Sequence, residues 1–219
     1  MKQLDLTGLH RILHVRDFSD SVFVMRLERQ GLTFRPGQHV VVGLRGSVER
    51  REYTVYSPPW ANYLELLIKD IDGGDVSERL HLCESGERLE LQGPFGEFTI
   101  PDGCLGARFL FVATGTGISP FHCFVESYRN LDYRVLHGVR RPEQLYGRES
   151  FDPERHVDCL SRCHSGRFHG RVTDYLRANP VDPATYCYLC GSADMIYETF
   201  QILRGHGVPR DHLYTEVYF

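Results

Sequence analysis

Ala113-Thr114-Gly115-Thr116-Gly117-Ile118-Ser119-Pro120 is the stretch that decides how this chain folds. It follows a continuous apolar run, Arg108 to Ala113, and leads into a helical pattern, Pro120 to Arg129. Glycine lets backbone approach a ligand closely, proline suits a first helical turn, and a helix N-terminus attracts anions. A diphosphate fits such a turn. Pro120 stands where a third glycine would complete G-x-G-x-x-G, and by itself the stretch also reads as a Gly-rich structural turn.

Downstream, further apolar strands fall at Arg134 to His137, Val157 to Leu160, Tyr186 to Cys190 and Leu213 to Val217. Helical patterns fall at Val172 to Arg177 and Met195 to Gly205. Strands alternating with helices predict an α/β domain over residues 104–219, with a five-stranded parallel sheet covered on both faces. Upstream the texture differs. Short alternating runs (Val22 to Leu27, Gln38 to Val42, Glu52 to Tyr56, Tyr63 to Lys69, Arg88 to Leu91) are broken by Gly and Pro. They predict antiparallel strands closing a small barrel or sandwich over residues 1–103, interrupted by one helix at Ser77 to Cys83. Pro101-Asp102-Gly103 is the expected joint.

The chain has 219 residues, 42% hydrophobic and 25% charged, with a formal net charge of −4. That excludes a disordered or collagen-like chain and argues against a nucleic-acid partner. All basic residues but Lys2 and Lys69 are arginine, which suits anion recognition but for most of them reads as genomic base composition. No apolar run is long enough to span a membrane. The start lacks the apolar core of a signal peptide, and the seven cysteines are odd in number. Reduced thiols in a cytoplasm are the expectation.

Two upstream motifs carry further chemistry. Arg51-Glu52-Tyr53-Thr54 ends a predicted strand. Alternation puts Arg51 and Tyr53 on one face and Thr54 on the other. A guanidinium, an aromatic ring and a hydroxyl suit a phosphate, a planar ring and a ring nitrogen, but by itself the motif also reads as an ordinary strand. Gly74-Asp75-Val76-Ser77 opens the single upstream helix, with Ser77 as a natural N-cap. That motif reads either as capping alone or as a second anion site shared with Arg51.

These motifs, with Cys190-Gly191-Ser192-Ala193-Asp194-Met195 and the C-terminal Glu216-Val217-Tyr218-Phe219, resemble the ferredoxin–NADP reductase family. Pro36-Gly37-Gln38 and Gly93-Pro94-Phe95-Gly96 resemble its barrel landmarks. The resemblance implies a six-stranded antiparallel flavin-binding β-barrel followed by a pyridine-nucleotide domain. It implies that Arg51, Gly74 and Ser77 hold flavin phosphate, that Tyr53 packs on the isoalloxazine, and that Thr54 bonds near N5. Thr114, Gly115, Thr116, Gly117 and Pro120 would cradle the nucleotide diphosphate. Cys190, Gly191 and Met195 would lie by the nicotinamide, Glu216 would help to set up the active site, and either Tyr218 or Phe219 would cover the flavin. Thr54 replaces the commoner serine, and Tyr56 stands where a small residue is usual.

The implied activity is flavoprotein electron transfer between NAD(P)H and a one-electron carrier, ferredoxin or flavodoxin. Thr54, Cys190 and Glu216 are the residues expected at hydride transfer. FAD is the expected cofactor, with FMN as the alternative. Arg140, Ser161, Arg162 and Arg171 follow the second and third parallel strands and are the candidates for the adenosine 2′-phosphate, which favours NADPH over NADH. A reductase component of an oxygenase and a free-flavin reductase are alternatives within the same fold; a non-catalytic flavin-binding docking subunit is an alternative of another class. Cys187-Tyr188-Leu189-Cys190 has C-x-x-C spacing, but on a strand its thiols face opposite ways, so no metal is expected there. Cys159, Cys163 and His164, with His156 and His169 nearby, form a looser cluster that reads as ordinary core and loop.

Overall fold

The computed structural model describes residues 8–19, 21–71, 73 and 76–218. Two expected site residues, Gly74 and Phe219, lie outside them. The chain forms two compact units, residues 1–99 and 100–219.

The first unit contains β1 (Gly8–Ser19), β2 (Val22–Glu28), β3 (His39–Leu44), β4 (Arg51–Thr54), β5 (Tyr63–Lys69), α1 (Ser77–His81) and β6 (Arg88–Phe95). The strands run antiparallel in the order β4-β3-β6-β1-β2-β5. A bridge between Val55 and Leu66 joins the two ends of this order and closes the barrel. Ile12, Phe23, Met25, Leu27, Val40, Leu66 and Leu89 fill the interior without solvent exposure. β1 does not stand out as an alternating apolar run. It carries His10, Arg11, His14, Arg16 and Asp17, and only His10 and Ile12 are buried. Gln38 ties two landmark loops together: its Oε1 accepts from Arg35 N–H (2.9 Å), and its Nε2 donates to Gly96 C=O (3.2 Å).

Ser77 departs from its expected role. Val76 is the N-cap of α1 and Ser77 is already inside the helix, with no side-chain cap. The Ser77 hydroxyl instead accepts from Ile71 N–H (3.2 Å), which turns it away from the helix's own amides. The helix also ends at His81, short of Cys83.

The second unit contains β7 (Arg108–Thr114), α2 (Ser119–Ser127), β8 (Asp132–Val139), β9 (His156–Leu160), β10 (Phe168–His169), α3 (Val172–Ala178), β11 (Tyr186–Gly191), α4 (Ala193–Gly205) and β12 (Leu213–Val217). The order is β10-β9-β8-β7-β11-β12, parallel throughout. The expected five strands are thus six. The addition, β10, pairs only Phe168 with Cys159 and His169 with Leu160, and two residues are too few for any periodicity to register. On one face Leu110, Val112, Leu136, Cys187 and Leu189 pack with Val172, Leu176, Met195 and Leu203 of α3 and α4. On the other, aromatic rings meet α2, with Phe111 stacked on Phe121 at 4.9 Å and tilted against Phe124 at 5.6 Å. Cys187 and Cys190 point to these opposite faces, and both are free thiols.

From β7 the chain steps outward through β8, β9 and β10, then returns to lay β11 and β12 on the other side of β7. The connections therefore diverge at the carboxyl ends of β7 and β11. Open α/β sheets bind ligands at such a switch point.

Candidate functional site

The carboxyl end of β7 is Thr114, and the next residues form a short 3-10 turn, Gly115–Ile118, that runs directly into α2. Gly115 has φ of +54°, a region that L side chains rarely adopt, and among the described residues nothing lies within 4 Å of where its Cβ would be. It leaves open space at the mouth of the crevice. Gly117 is constrained differently. Its Cβ would come 2.7 Å from Cys190 C and 2.9 Å from Gly191 Cα, so this glycine lets the turn pack onto β11. Ser119 Oγ donates to Thr116 C=O (2.8 Å), and Pro120 is the second residue of α2. Thr114 Oγ1 accepts from Ser192 N–H (3.2 Å), tying β7 to the start of α4.

Cys190 and Gly191 face this turn from β11. Cys190 is fully buried, and burial together with the nearby Glu216 carboxylate pushes its thiol well above the usual range, against the lowering effect of a hydrogen bond from Tyr218. The group is a neutral thiol at any working pH. Glu216 is its register partner on β12, and Tyr218 N–H donates to Gly191 C=O (2.8 Å). The structure thus gathers Thr114, Gly115, Gly117, Cys190, Gly191, Glu216 and Tyr218 around one strand-end crevice. Met195 contributes from beneath: its side chain is buried in the core, and its Cε would lie 3.2 Å from a Cβ on Gly191.

His137 belongs with these residues, although the sequence does not single it out. It is fully buried near the end of β8, and its Nε2–H donates to Gly115 C=O (2.9 Å). A histidine closing an otherwise apolar run was the available signal.

The 2′-phosphate candidates lie on adjacent loops. Arg162 N–H donates to Arg140 C=O (3.1 Å) and Ser161 N–H to Val139 C=O (3.0 Å), lacing the loop after β9 to the one after β8. Arg140, Ser161 and Arg162 are exposed. Arg171 is also exposed and is the N-cap of α3, its N–H donating to Asp174 Oδ2 (2.9 Å). Arg167 and Arg177 pair with acids, whereas no carboxylate among the described residues forms an ion pair with Arg140, Arg162 or Arg171. Uncompensated guanidinium groups at strand carboxyl ends suit a dianion.

In the first unit, β4 presents Arg51 exposed, Tyr53 half-buried and Thr54 buried. Arg50, next to Arg51, is bound to Glu90 (2.5 Å), but Arg51 donates only to Arg50 C=O (2.8 Å) and has no acidic partner among the described residues. Burial pushes the Tyr53 phenol up to about 12, so the ring is neutral. Ser77 accepts from Ile71 N–H, which leaves its own proton to donate. A cation without an acid and a hydroxyl whose proton has no acceptor, both among the described residues, suit a flavin phosphate, and Tyr53 offers an uncharged ring. The residues fit a bound flavin nucleotide.

A cavity of about 500 Å³ lined by Arg108, Tyr133, Arg134, Tyr175 and Asn179 opens at the opposite, amino ends of the parallel strands. Its Arg108 is compensated by Asp132 and Asp182, and it is remote from the switch point.

A family model described as an oxidoreductase FAD-binding domain matches residues 11–100. Ferredoxin–NADP reductase B of Sorangium cellulosum is 32% identical over 236 residues, covering 95% of this chain and 96% of that one. The chain belongs to the ferredoxin–NADP reductase family. Flavodoxin/ferredoxin–NADP reductase of Rhodobacter capsulatus is 29% identical to this family member over 93% of this chain and 87% of that one. The crystal structure of a ferredoxin NADP+ reductase from Neisseria gonorrhoeae with bound FAD and NADP shares its fold, with a TM-score of 0.87 at 21% identity, covering 97% of this chain and 99% of that one. As a ferredoxin–NADP reductase family member the chain is an oxidoreductase.

Proposed function

We propose that this chain is an FAD-containing reductase that oxidises NADPH and passes electrons to ferredoxin or flavodoxin. The observation that carries this reading is the switch-point crevice, where an open glycine turn, a buried thiol and a carboxylate meet at the ends of β7, β11 and β12. When bound, FAD supplies the conversion between hydride transfer at N5 and single-electron release. Arg51 and Ser77 would hold its phosphate, Tyr53 would pack on its ring system, and Thr54 would bond near N5. The Gly115 turn would bind the nucleotide diphosphate, and Arg162 with Ser161 the 2′-phosphate. Cys190, which keeps its proton, would stand behind the nicotinamide site as a small neutral group. Glu216 supplies a carboxylate beside it, and Tyr218 supplies an aromatic ring at the end of β12.

The test is anaerobic titration with NADPH and with NADH, watched at the flavin band, followed by addition of ferredoxin or flavodoxin. Bleaching by NADPH and reoxidation by a carrier is the expected result. A flavin-loaded protein that neither nucleotide bleaches would overturn the reading in favour of a non-catalytic flavin-binding subunit. Bleaching with reoxidation only by free flavin would replace the carrier.

A further inference from the structure

In a trans peptide the carbonyl and the following N–H point in opposite directions. Gly115 C=O is turned inward onto His137 Nε2, so the N–H of Thr116, on the same peptide, is turned away from His137. Thr116 lies in the first helical turn before α2, where amide groups have no carbonyl partner within the helix. Glycine permits this peptide orientation at φ of +54° but does not enforce it, because it visits many others as readily. A buried donor on the carbonyl does enforce it.

His137 is built to be that donor. It has no solvent exposure, and the groups facing it are the His156 ring at 6.0 Å, the Tyr146 ring at 6.4 Å, and Asp158, its register partner on β9. Burial pushes its pKa down to about 3; the bond to Gly115 and the Asp158 charge oppose this, and His156 reinforces it. The ring is therefore neutral and carries one N–H. A carbonyl can only accept, so that proton is on Nε2, and Nδ1 is left as a buried acceptor with no hydrogen-bond partner among the described residues.

We propose that His137 is a positioning residue for the nucleotide diphosphate: by holding the Gly115 carbonyl inward it presents the Thr116 N–H to a phosphate. The proposal rests on reading the Gly115 turn as the diphosphate cradle. His137 itself touches no ligand, so its loss acts through the turn.

The experiment compares wild type, His137→Leu and His137→Gln as flavin-loaded proteins. Leucine removes the donor at similar volume, and glutamine returns an N–H near the Nε2 position. Calorimetry measures binding of NADP+, which carries the diphosphate, and of adenosine 2′-phosphate, which does not. His137→Leu is expected to lose tenfold or more in NADP+ affinity, about 1.4 kcal/mol, while adenosine 2′-phosphate binds within twofold of wild type. His137→Gln is expected to restore NADP+ binding to within threefold. Unchanged NADP+ affinity in His137→Leu, or equal loss of both ligands, would overturn the proposal. A wild type that binds neither ligand removes the cradle reading and this proposal with it. A wild type that binds both, alongside a His137→Leu that does too, removes the proposal alone. Imidazole nitrogen NMR of wild type decides the matter even where His137→Leu does not fold. A proton on Nε2 from pH 5 to 8 supports the role; a proton on Nδ1, or titration in that range, refutes it.

Discussion

Gly191 lies so close to Thr114 that a Cβ built on it would overlap Thr114 Oγ1 and come 3.0 Å from Thr114 N. Its φ of +140° is strained for any L side chain, so glycine is required twice over. Gly191→Ala is expected to lower the free energy of unfolding by about 1–3 kcal/mol, the usual cost of overpacking. Thr114→Ala removes the overlapped hydroxyl as well as its bond from Ser192 N–H. The double variant should therefore be more stable than the two single losses added together. Urea unfolding of all four proteins measures this, and strict additivity would mean that the two residues do not press on each other.

Flavin retention tests Arg51. Its guanidinium has no acid beside it among the described residues, unlike Arg50, which Glu90 neutralises. A hydrogen bond to a charged group is worth about 1.5–3 kcal/mol, roughly 10–150-fold in affinity. Arg51→Ala is expected to weaken flavin binding by that factor while keeping the far-ultraviolet circular dichroism of wild type. Arg51→Lys keeps the charge but loses the planar fork, and should fall between the two. Fluorescence titration of apoprotein with FAD gives the numbers. Wild-type affinity in Arg51→Ala would detach this residue from the phosphate.

The two buried histidines of β8 and β9 predict loss of stability in acid. Burial holds His137 at about 3 and His156 at about 4, against about 6.5 for a free imidazole. Below about 6.5 the unfolded chain takes up protons that the folded chain refuses, so stability rises with pH in this window. Their contribution is complete above pH 6.5 and is lost as pH falls toward the folded values. Each histidine gives a slope of about 1.4 kcal/mol per pH unit. His156→Gln removes one such proton site and should lower the slope by up to about 1.4 kcal/mol per pH unit between pH 6.5 and 4.5 in urea titrations. An unchanged slope would place the acid sensitivity elsewhere.

The parts of this fold that are plain in the sequence are those whose signal is local. β7 and β11 are continuous apolar runs, and α2 begins where Pro120 says it should. β1 is hidden because its exposed face carries charges at nearly every turn of the alternation, although it lies between β6 and β2 in the barrel. The role of Gly117 depends on Cys190 and Gly191, residues that only folding brings to it. Ser77 has the composition of a cap, but the direction of its hydroxyl is set by Ile71, six residues upstream. His137 reads as one more residue of a strand until its partner, Gly115 C=O, is in place. In each case the missing information is which group the side chain faces.

Nucleotide preference is the sharpest test of the laced loops after β8 and β9. Arg140 and Arg162 are joined by the bond from Arg162 N–H to Arg140 C=O, and both are exposed without carboxylate partners among the described residues. A 2′-phosphate would be attracted to both; the Ser161 hydroxyl, which donates to Val139 C=O (3.4 Å), would turn from that long bond to join Arg162 and make it the stronger contact. Wild type is expected to prefer NADPH over NADH in kcat/KM. Arg162→Ala should lose about tenfold or more of that preference, the value of one charge-assisted contact, while turnover with NADH is spared. Arg140→Ala should lose less. Because the guanidinium groups are exposed, salt screens them over about 8–10 Å near physiological ionic strength. The wild-type preference should therefore shrink between 50 and about 500 mM salt, and that of Arg162→Ala should change less. Equal loss with both nucleotides, or a preference untouched by the substitution and by salt, would remove the 2′-phosphate from Arg162.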